Sequence, residues 1–383
     1  MVCIGCNEPD PITCGDKMVI INDQCECVPN AHPTEDSESC ACDSLYHWDD
    51  IEETCVLDTI SNDFTWVLDT LGDYGTELND VEVVSANNIW VVGEIAVPDS
   101  SNWIGPGNCN YNLARWNGSS WQFIQIIAPV ALNSIHYFDD DDLWVTTNSF
   151  PIHWDGSTWT LFHTQEMGIP GSPGLACWGT SSSNMYFVGR EGAIVHYDGT
   201  SFTKIAQDYD TDFQDVVGTP DGEHVFVLGN SLWSPGEEML IHLETGTQIW
   251  GEIPYPVVGT EEIKIDARNM DVSGNKLYLP MIGGVWTYNY SGLESEFYNP
   301  PYSEYGSGVY RMTCAISPNN ILFGGSKMNL LHFNGVSYKY VDEIQYNLSH
   351  LVMKGGDYNG EVFAMVGYLD DWQHGVVARG YRN

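Results

Sequence analysis

Residues 152–160 read IHWDGSTWT, and the stretch recurs. Residues 113–123 are LARWNGSSWQF, residues 195–205 are VHYDGTSFTKI and residues 331–341 are LHFNGVSYKYV. In each, an aromatic (Trp116, Trp154, Tyr197, Phe333) precedes Asn-Gly or Asp-Gly. A second aromatic (Trp121, Trp159, Phe202, Tyr338) follows five positions after the first. Asn/Asp-Gly between alternating apolar segments is the strongest short hairpin signal, and a two-residue turn of that kind asks for positive φ at both residues. A hairpin returning at a period of roughly 40–47 residues means a repeat architecture.

A second element precedes each hairpin. It is a β-rich run: IWVVG (89–93), LWVTT (143–147), MYFVG (185–189), VFVLG (225–229), LYLPM (277–281), ILFGG (321–325) and VFAMVG (362–367). Each follows a polar turn, and before each turn comes another short strand, as in DVEVV (80–84) or FQDVVG (213–218). Every unit therefore reads strand a, turn, strand b, loop, strand c, turn, strand d. Such a four-stranded sheet cannot bury both faces alone. Seven of them packed radially, face to face, solve this and leave only short edges. The last unit has strands b and c but reaches Asn383 without a fourth strand. DFTWVLD (63–69) matches a strand d and is predicted to close the ring against the C-terminal strand, which removes an open edge. The expected fold is all-β. It is a seven-bladed β-propeller of four-stranded antiparallel blades (residues 58–383), with a small disulfide-rich domain ahead of it (residues 1–57).

The segment ACWGTSSSNMYFVGREGAIVHYDGTSFTKI (176–205) resembles the repeat of secreted bacterial β-propellers. That pattern is roughly WG-[ST]-S-x-x-D-[VI]-[WY]-x-VG-x-x-G-x-[IV]-x-H-[WY]-DG-[ST]-x-W. The match falls on Trp178, Gly179, Tyr186, Gly189, Gly192, His196, Tyr197, Asp198 and Gly199, with Asn184 and Phe202 as departures. The other blades match more weakly, the fifth (VWTYNYSG) least. These propellers are similar in architecture to sialidase-repeat and photosystem-assembly-factor propellers. The resemblance implies fold and export, and no single activity.

The chain has 383 residues, 53 acidic against 13 basic side chains and a formal charge of −40. That field repels nucleic acid and anionic membrane surfaces. No run of 18 or more apolar residues is present, so no transmembrane segment is expected. Eight of the eleven cysteines fall within the first 55 residues. Six of them, Cys14, Cys25, Cys27, Cys40, Cys42 and Cys55, are spaced as C-x-C units on a 15-residue repeat. A segment with so little apolar material needs covalent staples, each contributing about 2–4 kcal/mol. Disulfides are expected, with Cys3 and Cys6 as further candidates and fifteen pairings open for the six. CACDSLYHWDDIEETC (40–55) resembles the second half of an EGF-like module, with Leu45 where that family has Gly. Cys3-Ile4-Gly5-Cys6 resembles a bacterial lipobox, which implies a lipid anchor at Cys6. Because the cysteines call for an oxidising compartment, any export signal is expected upstream of residue 1, or the sequence is a mature or expressed form. Cys177 and Cys314 sit in apolar strand patterns and read as buried thiols. Cys109 is the odd one, free or paired with the head.

No catalytic constellation appears. His153, His196, His242 and His332 occupy one repeat position, with Arg115 and Arg379 there in blades 1 and 7. A residue spread once per blade around a ring reads as structural. Asp208, Asp210 and Asp212 have the first three spacings of a calcium loop. Phe213 and Thr219 stand where its Gly and closing Glu belong, so no metal or cofactor is expected, with calcium as the alternative. The six arginines give no triad for a sialidase.

Loop length is the useful asymmetry. The a–b and c–d turns are short, whereas the b–c and d–a connections emerge on the opposite face and are long and aromatic. Function concentrates in loops held on a rigid scaffold. Trp103, Tyr111, Trp233, Tyr302, Tyr305, Trp372 and His374 are the candidate binding residues, with Trp372 and Trp103 on neighbouring blades. The expected function is a non-enzymatic, exported interaction scaffold at a cell surface or in an extracellular assembly, binding protein or glycan through this face. The alternatives are a glycan-active hydrolase or lyase, for which Glu237, Asp370 and Asp371 are the loop acids, and a calcium-dependent lectin-like binder.

Overall fold

A computed structural model describes residues 18–21, 24–29, 31–34, 39–42, 46–49, 54–57, 60–61, 63–97, 111–126, 130–169, 171–205, 211–229, 239–245, 249–252, 257–258, 261–262, 269–281, 284–298, 310–325, 330–335, 338–340, 351–369 and 374–383. All regular elements among them are strands. No helix is long and apolar enough to cross a membrane. The chain divides into two compact units, one drawn from residues 1–60 and 334–337, the other from 61–333 and 338–383.

The second unit is a ring of seven four-stranded antiparallel blades. Blades 1 to 6 take residues 77–124, 132–161, 172–204, 213–252, 271–298 and 310–340, each in the order a-b-c-d. Blade 7 takes strands a to c from Leu351–Tyr358, Val362–Leu369 and Gly375–Arg382. Its strand d is Phe64–Leu71, in register from Gly375 opposite Leu71 to Arg382 opposite Phe64. The predicted closure is thus present over the full length of both strands. An additional short pairing, Val257–Val258 with Glu261–Glu262, lies in the connection between blades 4 and 5.

The apolar core is distributed. Seven buried clusters are found among the described residues, each formed by two neighbouring blades. Leu78, Val81 and Ile89 of blade 1 meet Val362, Ala364 and Val377 of blade 7, for example. Strand b is covered on both faces, which is why it reads as a near-continuous apolar run and not as an alternating one. The glycine ending several of these runs (Gly93, Gly189, Gly367) stands where a Cβ would strike a strand-a carbonyl, of Glu77, Ser172 and Val352 respectively.

The Asn/Asp-Gly hairpins differ in one detail from the expectation. Trp116 pairs with Trp121, Trp154 with Trp159 and Tyr197 with Phe202, which leaves a four-residue loop. Only the glycine takes positive φ, +89° at Gly118, +83° at Gly156 and +88° at Gly199. The preceding Asn or Asp keeps ordinary φ because its carboxyl or amide oxygen caps the turn. Asp155 Oδ1 accepts from the Ser157 and Thr158 amides (2.9 and 2.7 Å), and Asp198 Oδ1 from those of Thr200 and Ser201 (2.9 and 2.8 Å). The two aromatics of each motif are register partners, so their rings meet across the hairpin at 4.5–5.7 Å.

The repeating histidine is a latch between strands b and c. His153 Nε2 donates to Asp142 Oδ1 (2.8 Å), His196 Nε2 to Asn184 Oδ1 (2.7 Å) and His332 Nε2 to Asn320 Oδ1 (3.0 Å). In blade 1, Arg115 Nε donates to Asn88 Oδ1 (2.9 Å) in the same place. In blade 7, Arg379 Nε donates to Asp69 Oδ2 (2.7 Å) on the closing strand, and its guanidinium lies 4.0 Å from the Trp116 ring centre.

Among its described residues the first unit holds three hairpins: Met18–Ile21 with Gln24–Cys27, Ala31–Pro33 with Cys40–Cys42, and Tyr46–Asp49 with Thr54–Leu57. The C-x-C units lie on the second strands. Alternate residues of a strand face the same way, so both thiols of a unit are presented together, and in the second unit Cys40 serves the hairpin before and Cys42 the hairpin after. Cys27 bonds Cys40 and Cys42 bonds Cys55, with Cα–Cα distances of 5.7 and 5.6 Å, and Cys25 is disulfide-bonded as well. Cys3, Cys6, Cys14 and Cys109 lie outside the described residues. Cys177 and Cys314 are buried free thiols.

Candidate functional site on the loop face

Seven innermost strands, one per blade, line the axis, with neighbouring a strands in contact. Their side chains stitch the blades together. Asp80 Oδ2 accepts from the Ile135 amide (3.0 Å), Asp215 Oδ2 from Met270 (2.7 Å), Asp271 Oδ2 from Ala315 (2.6 Å) and Asp357 Oδ2 from Val83 (2.6 Å). Each bond runs from one blade to the next. His136 Nε2 donates to Gly179 O (2.8 Å) in the same manner, and burial holds this imidazole below its usual pKa. The result is a half-buried acidic collar of Asp80, Glu82, Asp215, Asp271 and Asp357. Burial pushes Asp80 up to about 6, Asp271 to about 7 and Asp215 to about 8, and the charges of the other collar carboxylates add to each rise. Burial raises Glu82 well above its usual value, with Asp357 and Asp80 adding to it, and burial raises Asp357 too. Asp271 and Asp215 therefore hold protons near neutral pH. The Cys177 and Cys314 thiols are also pushed up by burial, which makes them inert as nucleophiles.

The two ends of the ring are unlike. On the short-turn end the c–d turns of blades 1, 2 and 3 are capped by Asn117, Asp155 and Asp198. On the other end the connections differ from blade to blade. The b–c connections of blades 2 and 3 are short, residues 148–150 and 191–193, so length is concentrated elsewhere.

This end includes the junction of blades 7 and 1. Residues 72–76 join the closing strand to blade 1. Their turn is fixed by Asp73 N to Ala96 O (2.6 Å), Thr76 N to Asp73 O (3.0 Å) and Ala96 N to Thr76 Oγ1 (3.0 Å). Held in that turn, Tyr74 is 53% exposed. His374 meets the start of the same turn, its Nδ1 3.1 Å from Gly72 O. The Lys354 ammonium pairs with the Glu77 carboxylate and sits 5.7 Å from the Tyr368 ring centre. Burial, with the Glu77 charge added, raises Glu94. The patch thus sets an exposed aromatic on a fixed turn near a half-buried ion pair, a composition suited to recognition by stacking and hydrogen bonding.

Of the residues expected to bind, His374 lies in this junction. Tyr111 is half-buried at the start of strand c of blade 1, its ring 5.7 Å from Phe123. Trp103, Trp233, Tyr302, Tyr305 and Trp372 lie outside the described residues, as do Glu237, Asp370 and Asp371. Asp208 and Asp210 lie outside them too, while Asp212 Oδ1 accepts from the Glu191 amide (3.1 Å). Sequence reading missed Tyr74, a lone aromatic in LGDYGTE. It missed the collar as well. One group among the described residues could hold a metal ion, His224, His242 and Glu244, at the short-turn end of blade 4.

No protein-family model matches the chain. No curated protein matches it either. Solved structures do share its fold. YCF48 bound to D1 peptide is 16% identical with a TM-score of 0.61, over 85% of this chain and 98% of that one. The extracellular domain of the one-component system BT4673 from B. thetaiotaomicron is 11% identical with a TM-score of 0.54, over 82% of this chain and 40% of that one. PorZ, a bacterial surface component of the type-IX secretion system of Porphyromonas gingivalis, is 11% identical with a TM-score of 0.51, over 79% and 38%. At these identities the likeness is one of fold: the chain carries a seven-bladed β-propeller.

Proposed function

We propose that the protein is an exported, non-enzymatic interaction scaffold that binds an extracellular protein or glycan through the loop face of its propeller. The observation that carries this reading is the difference between the two ends of the ring. One end repeats its capped turns in blades 1 to 3; the other does not repeat and holds Tyr74 exposed on a fixed turn beside His374. Exposed rigid aromatics are what interfaces use as anchors. The disulfide-linked hairpins support an oxidising compartment. Adhesion, or a place in a surface assembly, is the role that suits a stapled, EGF-like head ahead of a propeller, with a lipid at Cys6 as one means of attachment. That YCF48 is known bound to a peptide, and that the other two similar structures are an extracellular domain and a surface component, supports the same reading.

The test is site-specific photo-crosslinking on cells of the native host. A photoreactive residue replacing Tyr74 is expected to yield a discrete adduct with a surface protein or glycoconjugate, and one replacing Ser119 on the short-turn end is not. Adducts from position 119 alone, or identical adducts from both, would sink the proposal.

A further inference from the structure

Blade 4 breaks the latch at two places at once. Where blades 1, 2, 3 and 6 begin strand b with an amide or carboxylate (Asn88, Asp142, Asn184, Asn320), blade 4 has His224. The strand-c histidine, His242, then faces a second imidazole, with His242 Nε2 2.9 Å from His224 Nδ1. Two residues further on, where blades 2 and 3 have the turn-capping Asp155 and Asp198, blade 4 has Glu244. Glu244 is the register partner of His224, and His242 is the partner of Phe226. All four side chains therefore project from one face of the strand pair.

We propose that His224, His242 and Glu244 form a binding site for one divalent first-row metal ion of the zinc class. The ligands are His224 Nδ1, His242 Nε2 and one Glu244 carboxylate oxygen, with a fourth position left to water. These atoms all lie within 4.8 Å of one another. Bonds of about 2.0–2.1 Å at tetrahedral angles need the two nitrogens about 3.3 Å apart, a few tenths of an ångström more than they are now. Imidazole with carboxylate is a ligand set that suits zinc, copper or nickel better than calcium or magnesium. The imidazoles are half-buried and Glu244 is exposed, so an ion has a path in from solvent. The Tyr290 ring of blade 5 packs 4.7 Å from His224 and 5.9 Å from His242, and its hydroxyl donates to Gly274 O (2.7 Å), which holds both imidazoles in place. Asp221 next to His224 adds negative potential for a cation.

Zinc titration of the chelator-treated full chain, disulfides intact, by calorimetry and thermal melting tests the site. The wild type is expected to bind one zinc ion per chain above the weak background of its acidic surface, and to melt higher with zinc than without. H224N restores the amide found in three other blades and so keeps the latch, while E244Q alters only an exposed side chain. Each is expected to weaken zinc binding by about tenfold or more and to lose the zinc-dependent rise in melting temperature. No zinc uptake above background by the wild type overturns the proposal, as does either variant binding as tightly as the wild type. Should H224N fold poorly, E244Q decides.

Discussion

At Gly199 the backbone φ is +88°, and a Cβ there would stand 2.7 Å from the Ser183 Cβ. Strain and collision act together, so G199A is expected to destabilise the propeller by about 1–3 kcal/mol, read as a lower urea midpoint with unchanged slope. The cap beside it explains why Asp precedes Gly so often in this chain. Asp198 accepts from the Thr200 hydroxyl and from the Thr200 and Ser201 amides, which holds its carboxyl well below the usual range. This position was legible in the sequence because four copies share it. Tyr74 was not, because its exposure depends on a turn fixed by Ala96, twenty-two residues away in the chain.

The closing strand Phe64–Leu71 shows which interactions matter at the scale of an element. Arg379 is 4% exposed and its partner Asp69, which also accepts from Trp121 Nε1 (3.1 Å), is 21% exposed. D69A leaves the guanidinium buried and unpaired and is expected to cost about 3–5 kcal/mol. The Lys339–Asp63 pair at the rim, 53% and 69% exposed, is the contrast: K339A is expected to cost less than about 1 kcal/mol. Urea unfolding of the two variants side by side checks both, and equal losses would contradict the distinction. Strands b and c were easy to read because a face covered by the next blade demands apolar residues at fixed spacing. The pairing of Val257–Val258 with Glu261–Glu262 was not, since two-residue strands carry no periodicity.

For the whole molecule the acidic collar sets the response to pH. Asp80, Asp271 and Asp215 have folded values near 6, 7 and 8, all above the 3.8 of the unfolded chain. The folded state thus holds protons that the unfolded state releases. Their stabilising contribution is complete below about pH 4 and is lost as pH rises through about 6 to 8. The capping carboxyls Asp155 and Asp198 have lowered values, so their contribution is present at neutral pH and is lost in acid. Stability is expected to rise on mild acidification from about pH 8 to 5, with the groups titrating as a coupled set. D215N/D271N keeps the hydrogen-bond acceptors and should flatten that rise; an unchanged profile would remove the collar as its cause. The collar was invisible in the sequence because its acids do not share one repeat position. Asp80 and Asp215 lie opposite Val92 and Leu228, whereas Glu82 and Asp271 lie opposite Trp90 and Tyr278.

Ring closure by the first propeller strand has a consequence for how the protein is made. Phe64–Leu71 leaves the ribosome more than three hundred residues ahead of Gly375–Arg382, its only partner within blade 7. Throughout synthesis it waits as an unpaired strand, while blades 1 to 6 can assemble behind it in order. Completion of the circle is therefore a late, all-or-none event. A chain stalled or trimmed before Gly375 presents two unpaired strand edges to chaperones and proteases, so quality control can tell a closed ring from an open one by that single seam.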